Sequence, residues 1–397
     1  MRRRCLGAAY AFNLETKTSN PPEKFPLAAA AAITFFAIIL RLAYAWRLGV
    51  PPPWASIIAS AGTVAALAAV AARVAGPSAG AAAAFLWAIL PAAVVASVFR
   101  PAVTYAACAG ALSLYFFGEG APRRRYGTGL FWAGAFAGAA AALCSSAVAL
   151  AAFYLLYSIY KTFRKAGPGP RAFAWLGGFV PVVAAAAGLE YLRAGEPLAH
   201  LREALAAPAL VYAETNLLIK RLAADAAAML CWDPLGFGFA FVVALAASAY
   251  LLKERRAGAL FYGGLLVFAL AAFNFTTTSL ENYAPMELEP TRWLLASLPA
   301  AVLAGGAFGE LWSRKGGAAL SGWAGALATS AVLATLFING NMPFAPLSLL
   351  TLALAVIITI TFAGLSRRAP QTERLFARAA GAVIILISVY AIVILYL

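Results

Sequence analysis

Residues 76–101 read GPSAGAAAAFLWAILPAAVVASVFRP, and this stretch decides the class of fold. It contains no charged residue before Arg100, the last but one of its residues. An uncharged run above the roughly 20 residues that span a hydrocarbon core predicts a helix inside a membrane. We therefore place a membrane crossing at residues 80–99.

The rest of the chain has the same composition, because 63% of its 397 residues are hydrophobic and only 11% are charged. Soluble domains carry about 25% charged residues, so a soluble fold is excluded. No alternating pattern of a membrane barrel is present, and in lipid the backbone must then form helices. The sequence predicts an all-α, polytopic transmembrane helix bundle that is a multi-pass protein of the cell membrane.

The number of crossings and their direction follow from apolar runs and basic clusters. The formal net charge is +15. The basic residues form clusters between the crossings, and the positive-inside rule assigns each cluster to the cytoplasmic side as a membrane anchor rather than to a nucleic-acid site. We predict about 13 crossings, with the N-terminus in the cytoplasm and the C-terminus outside. The predicted crossings are 26–46, 54–72, 80–99, 101–117, a pair within 129–160, 172–192, 234–252, 258–275, 292–312, 318–338, 345–365 and 376–396.

The segment 129–160 is long for one crossing and short for two. Basic clusters at 123–125 and 161–171 flank it, so the chain must enter the membrane here and return to the same side. The turn is expected near residues 144–146, which are Cys, Ser and Ser. Two short helices or a partly re-entrant hairpin both satisfy this pattern.

This topology divides the chain into a cytoplasmic tail (1–25), a transmembrane bundle (26–312) and further C-terminal crossings (313–397). The outer loops 193–233 and 276–291 are the long ones. Because no other outer loop has the length of a lid, we predict that the two pack together over the outer mouth of the bundle and that function concentrates there.

Three arginines are candidates for binding an anionic group. Arg41 lies about three-quarters along the first crossing, Arg47 follows it, and Arg292 begins a later crossing at the outer interface. A guanidinium matches a phosphate with paired hydrogen bonds. We predict that Arg41, Arg47 and Arg292 bind a lipid phosphate; the alternative is that Arg41 snorkels and that Arg292 only anchors its helix.

Acidic residues are concentrated in the loop that precedes Arg292. Glu281, Glu287 and Glu289 could serve a metal or a general base, although a solvated acidic loop is the commoner explanation of such a pattern. Their spacing matches no metal motif, so we predict no metal and no cofactor. The single histidine, His200, has no Cys or His neighbour in the sequence and is interpreted as a surface residue.

Several segments resemble the GT-C family of membrane glycosyltransferases. The stretch 76–101 resembles the family's third crossing, with Gly76 after the second helix and Pro91 midway. Residues 292–312, RWLLASLPAAVLAGGAFGELW, are similar to the family's RY-x5-P pattern, with Trp293 in place of Tyr and Pro299 in register. Residues 131–157, with Gly134 and Gly138, look like its fifth and sixth crossings. The resemblance covers 26–312 and implies a GT-C-like bundle.

Gly134 and Gly138 have the four-residue spacing of small residues that lets transmembrane helices approach closely. They lie in the first of the two short crossings within 129–160. We interpret this pair as a packing signal without chemistry.

The resemblance implies that a sugar is taken from a polyprenyl-phosphate donor at the outer face, with Arg292 and Arg41 on the donor phosphate. The family uses an acidic residue of the first outer loop as the base, but no acidic residue lies between Glu23 and Glu119 here. The catalytic residue is therefore unknown. Three functions follow: a divergent glycosyltransferase, a non-catalytic scaffold that binds a lipid or glycan, and a multi-pass transporter.

Overall fold

The structure, a computed structural model, describes residues 27–118, 126–163, 171–197, 258–275 and 294–312. These residues form α-helices and contain no strand, which confirms the helical class for the described part of the chain. The helices are α1 (Leu27–Arg47), α2 (Trp54–Ala75), α3 (Pro77–Ala88), α4 (Pro91–Phe99), α5 (Pro101–Phe117), α6 (Tyr126–Leu143), α7 (Ala147–Phe163), α8 (Arg171–Ala194), α9 (Ala259–Phe275) and α10 (Ser297–Trp312).

The segment predicted as one crossing at 80–99 is two helices. Helices α3 and α4 are bent by 55° relative to each other at a break around residues 89–90. Pro91 causes the break, because proline lacks an N–H donor and disfavours a helical residue before it. Leu90 accordingly has φ −65° and ψ 118°, in the extended region.

The segment 129–160 forms a helical hairpin. Helices α6 and α7 contain 18 and 17 residues, or about 26 Å each at 1.5 Å per residue. They join at residues 144–146, where the sequence predicts the turn. Each helix is therefore close to the roughly 30 Å of a hydrocarbon core.

Three helices in the described residues are long and apolar enough to cross a membrane, namely Ala28–Arg47, Trp54–Ala75 and Ala172–Arg193. The bent pair α3–α4 makes a fourth span if it is taken as one. Helices α5, α6, α7, α9 and α10 contain shorter apolar segments. The predicted crossings at 234–252 and beyond 312 lie outside the described residues.

Side-chain contacts fix the relative direction of the helices. Phe117, the last residue of α5, contacts Tyr157 in the second half of α7, with ring centroids 6.1 Å apart. Tyr157 in turn contacts Phe261 near the start of α9, at 4.9 Å. Arg73 at the end of α2 donates a hydrogen bond to the carbonyl oxygen of Tyr115 near the end of α5. Helices α2, α5 and α7 thus end at the level where α9 begins, which agrees with the alternation predicted from the basic loops.

This arrangement makes a prediction about loop locations. Single cysteines placed in 119–125 and in 164–170 are expected to be labelled by an impermeant thiol reagent from one side of the membrane. Cysteines placed in 48–53 are expected to be labelled from the other side, because an odd number of crossings separates the two groups. Labelling of all three loops from one side would contradict the described packing.

Two helix pairs approach each other closely through small residues. A methyl group on Gly134 of α6 would overlap the carbonyl oxygen of Trp175 in α8, and one on Gly178 of α8 would overlap that of Phe131 in α6. A methyl group on Gly138 would lie 2.9 Å from the carbonyl oxygen of Phe179. The packing role predicted for Gly134 and Gly138 is therefore confirmed.

Helices α3 and α10 form the second close pair. A methyl group on Gly305 would lie 2.7 Å from the backbone oxygen of Ala79, and one on Gly309 would lie 2.5 Å from the Ala79 nitrogen. The hydroxyl of Ser78 also donates a hydrogen bond of 3.2 Å to the carbonyl oxygen of Gly309. Helix α10 is thus packed closely against α3, the first helix of the bent pair.

Candidate functional site

The end of the bundle at which α1 ends and α2 begins is called the outer end here, because the basic loops predict that it faces away from the cytoplasm. Arg41 lies in α1, six residues before Arg47, the last residue of the helix. At 1.5 Å per residue this is about 9 Å below the helix end. Its side chain has no solvent-exposed surface, so Arg41 does not snorkel out of the bundle.

The guanidinium of Arg41 is held by oxygen atoms of three helices. Its Nε donates a hydrogen bond of 2.7 Å to the hydroxyl of Ser60 in α2. Its Nη1 donates to the carbonyl oxygens of Ala37, one turn earlier in α1, and of Ala88 in α3, at 2.9 and 3.2 Å. Hydrogen bonds from a charged donor are the stronger class, so Arg41 ties α1, α2 and α3 together.

The hydrogen bond from Arg41 to the Ala88 carbonyl oxygen lies at a helix end, because Ala88 is the last residue of α3. The last carbonyl groups of a helix have no partner within the helix and carry its partial negative charge. A cation placed there supplies the missing donor and is stabilised by the dipole. Arg41 therefore caps the end of α3 that Pro91 creates.

Helix α1 contacts both arms of the bent pair. Phe36 stacks on Phe85 of α3 with ring centroids 6.3 Å apart. Tyr44 contacts Phe99 of α4 edge to face, at 6.2 Å. Along α1, Arg41 lies between Phe36 and Tyr44. Helix α1 therefore extends across the break between α3 and α4 and contacts both helices, which fixes the position of α4.

Two exposed cations lie at the outer ends of α1 and α4. Arg47 ends α1, and Arg100 joins α4 to α5 as a single connecting residue; both side chains are exposed. Sequence reasoning named Arg47 but missed Arg100. The available signal was an arginine placed between an apolar run and Pro101 at an outer connection.

Exposed aromatic residues lie close to these cations in the sequence, since Trp46 precedes Arg47 and Phe99 precedes Arg100. Trp46 is 87% exposed, Trp54 is 56% exposed, and Phe99 is also exposed. Aromatic residues of this kind are enriched where a membrane meets water. The outer end of α1 and α4 therefore has the composition of a membrane interface.

Arg292 lies outside the described residues, as do Glu281, Glu287, Glu289 and His200. The described chain resumes at Leu294, whose side chain is fully buried. A methyl group on Gly110 of α5 would meet the side chains of Leu295 and Leu298, at 3.2 and 2.9 Å. The first described residues after Arg292 thus lie beside α5, within the bundle.

The predicted lid also lies mostly outside the described residues. Of the loops 193–233 and 276–291, the structure describes residues 193–197, which continue from α8. Within the described ranges, His, Cys, Asp and Glu side chains form no group of three that could hold a metal ion. The general base and the packing of the two loops stay predictions.

No protein-family model and no curated protein matches this chain. Among solved structures, the chain is similar to the apo crystal structure of ArnT from Cupriavidus metallidurans, with a TM-score of 0.44 and 14% sequence identity. The match covers 86% of this chain and 63% of that chain, so the chain spans somewhat less than two thirds of the length of ArnT.

Proposed function

We propose that this protein is a GT-C-type, glycosyltransferase-like membrane protein that transfers or binds a lipid-phosphate-linked sugar at the outer face. In this proposal Arg47 and Arg292 contact the phosphate. Arg41 was predicted to join them, but its described hydrogen bonds go to Ser60 and to backbone oxygens. We therefore assign Arg41 the positioning of the helices that surround the site.

The observation that carries the proposal is the position of Arg47 at the outer end of α1. Arg41 and Arg47, six residues apart, lie about 120° apart around the helix with Tyr44 midway, so the face of α1 centred on Tyr44 lies between the two arginines. The described contacts of Arg41 and Tyr44 direct this face toward the bent pair α3–α4. Arg47 thus ends a helix whose Arg41 and Tyr44 contact the bent pair, beside exposed aromatic residues, which suits a phosphate attached to an apolar tail.

A transporter is supported less well. Transporters use broken helices whose free ends bind substrate or ions in the membrane, and the bent pair α3–α4 is one broken helix. At the break, however, the end of α3 already has a partner, because the carbonyl oxygen of Ala88 accepts a hydrogen bond from the Arg41 guanidinium. A carbonyl group that binds a protein cation in this way is not available as a ligand for a transported cation.

The non-catalytic scaffold stays the second candidate, and one observation favours it. Residues 27–118 form five of the described helices and contain no Asp or Glu. A general base for glycosyl transfer must therefore come from elsewhere. The candidates are Glu281, Glu287 and Glu289 of the loop 276–291, and Asp233, the last residue of the loop 193–233.

Binding of a lipid phosphate is tested with Arg292→Ala, and Arg193→Ala serves as the exposed control. Loss of a charge-assisted hydrogen bond costs about 1.5–3 kcal/mol, which corresponds to roughly tenfold weaker binding or more. We expect this loss for Arg292→Ala and unchanged binding for Arg193→Ala, measured with polyprenyl phosphate on the protein in phosphatidylcholine nanodiscs. Equal binding by the two variants would leave Arg292 as a helix anchor.

Catalysis requires a second result. The amide variants Glu281→Gln, Glu287→Gln, Glu289→Gln and Asp233→Asn keep the size of each side chain but remove its basicity. A transferase is expected to lose turnover in at least one of them while binding is kept. Retention of turnover in all four would overturn the assignment of the base, and absence of turnover in the wild type would favour the scaffold.

A further inference from the structure

We infer that helix α8 is hinged at Pro181, so that its outer part swings relative to the bundle while its inner part stays fixed. Residues 171–180 are called the inner half of α8 below, and residues 182–194 are called the outer arm. The inference goes beyond the proposed function, because it concerns the movement of a helix that the candidate site does not include.

The inner half of α8 is clamped against α6 by contact between the two backbones. A methyl group on Gly178 would overlap the carbonyl oxygen of Phe131, and one on Gly134 would overlap that of Trp175. The buried ring of Trp175 also contacts Tyr154 of α7 edge to face, with ring centroids 6.4 Å apart. Backbones this close leave no room for the inner half to tilt or slide.

The outer arm extends past the end of the helix that holds the inner half. Gly134 of α6 faces the turn of α8 from Trp175 to Phe179. From this level α6 continues for 9 residues, to Leu143, whereas α8 continues for 15 to 19 residues, to Ala194. The arm therefore passes the end of α6 by roughly 9–15 Å at 1.5 Å per residue.

The side chains of the outer arm are correspondingly exposed. Leu189 and Tyr191 are exposed, and Leu192 is 81% exposed. A methyl group on Gly188 would meet nothing within 4 Å. Segments with few buried apolar contacts open and move at a lower free-energy cost than packed ones, so the arm is held less firmly than the inner half.

Pro181 lies at the boundary between these two parts, inside the helix. Proline has no N–H, so the carbonyl group of Gly177 loses its helical donor. Gly177 and Gly178 weaken the same turn, because glycine lowers helix stability by about 1 kcal/mol relative to alanine. A methyl group on Gly138 would still lie 3.3 Å from the Cβ of Val182. The weakened turn thus ends where the close packing ends, and helices bend at such prolines.

The length of the outer arm turns a small bend into a large displacement. Ala194 lies 13 residues after Pro181, or about 20 Å along the helix. A change of about 20° in the bend at Pro181 moves this end by roughly 7 Å. The first two residues of the outer loop 193–233 belong to the arm, so the start of that loop moves with it.

The experiment measures distances between two spin labels by pulsed electron paramagnetic resonance. The arm pair carries Ile58→Cys in α2 and Leu192→Cys, and the inner pair carries Ile58→Cys and Phe173→Cys; the three native side chains are exposed. The full chain is studied in phosphatidylcholine nanodiscs with its four native cysteines replaced by alanine, and thermal unfolding checks that this background is folded.

We expect a narrow distance distribution for the inner pair. For the arm pair we expect a distribution broader by roughly 6 Å, because Leu192 lies 11 residues beyond the hinge, or about 16 Å. Pro181→Ala restores a donor for the Gly177 carbonyl group. It is therefore expected to narrow the arm distribution to the width of the inner one, while the inner distribution stays unchanged.

Gly188→Ala is the matched control, because it raises helix propensity within the arm but away from the hinge. We expect it to leave the arm distribution broad. Narrowing by Gly188→Ala as large as that by Pro181→Ala would attribute the movement to weak helix propensity of the arm and overturn the hinge.

Two further outcomes contradict the inference. Equal widths for the arm pair and the inner pair would show that α8 moves as one body or does not move, and this comparison requires no variant at Pro181. A broad arm distribution that Pro181→Ala does not narrow would show that the helix bends elsewhere. Neither outcome bears on binding or transfer of a lipid-linked sugar, so the hinge and the proposed function are tested separately.

Discussion

Gly178→Leu is expected to prevent the protein from accumulating in a folded state. Even a single methyl group on Gly178 would overlap the carbonyl oxygen of Phe131 and lie 2.8 Å from the backbone nitrogen of Ala135. Backbone atoms inside a helix cannot rotate away as a flexible side chain does, so α6 and α8 must separate. The cost is expected to exceed the roughly 1–3 kcal/mol of ordinary overpacking, because close contact between backbones is what joins such helices in lipid.

Gly188→Leu is the matched control for this prediction. Gly188 lies in the same helix, and a methyl group placed on it would meet nothing within 4 Å. Leucine also has the better helix propensity, by up to about 1 kcal/mol. Thermal unfolding and the yield of monodisperse protein in detergent are measured for both variants. A Gly178→Leu protein as stable as Gly188→Leu would show that α6 and α8 are not in the described contact.

Arg41→Glu is expected to have a comparably large effect. The substitution places a carboxylate among the carbonyl oxygens of Ala37 and Ala88, at the negative end of α3. The negative charge and these oxygens repel, and no solvent reaches the site, because Arg41 has no exposed surface. Leaving a buried charge without its partner costs about 3–5 kcal/mol, which is a large part of the stability of most proteins.

Arg47→Glu provides the control, since it makes the same charge change six residues later in α1 at an exposed position. We expect Arg47→Glu to fold, and Arg41→Lys to be intermediate, because a lysine ammonium lacks the planar fork that reaches Ser60 and Ala88 from one side chain. Hydrogen exchange of peptides that cover residues 85–99 measures directly how stable the helices are on either side of the break between α3 and α4. Unchanged exchange and stability in Arg41→Glu would show that Arg41 does not cap α3.

The sequence identified some residues of the candidate site but not the groups that they contact. Arg41 was recognised as a costly charge in the first crossing, but its partners were not, because Ser60 and the Ala88 carbonyl group are 19 and 47 residues away. A backbone carbonyl group carries no sequence signal. The free end of α3 exists only because a proline breaks the third crossing at a depth that matches Arg41.

Arg100 was missed for a related reason. In the sequence it is one interfacial arginine among many, and nothing local connects it with Arg47. Only the contact between Tyr44 and Phe99 brings the two cations to neighbouring helix ends. Contacts of this kind depend on the direction in which α4 leaves the break, and the 55° bend sets that direction.

The sequence by itself determined the helical membrane class, most of the described helix bounds and the turn at 144–146. These features depend on local properties, namely apolar length, flanking charge and proline, which act over about one helix. It also identified Gly134 and Gly138 as packing residues, because small residues four apart line one helix face. The tertiary structure alone decided the partner of each helix face, the contacts of α1 with both α3 and α4, and the hydrogen bonds of Arg41, because these depend on groups far apart in the chain that meet only when the helices pack.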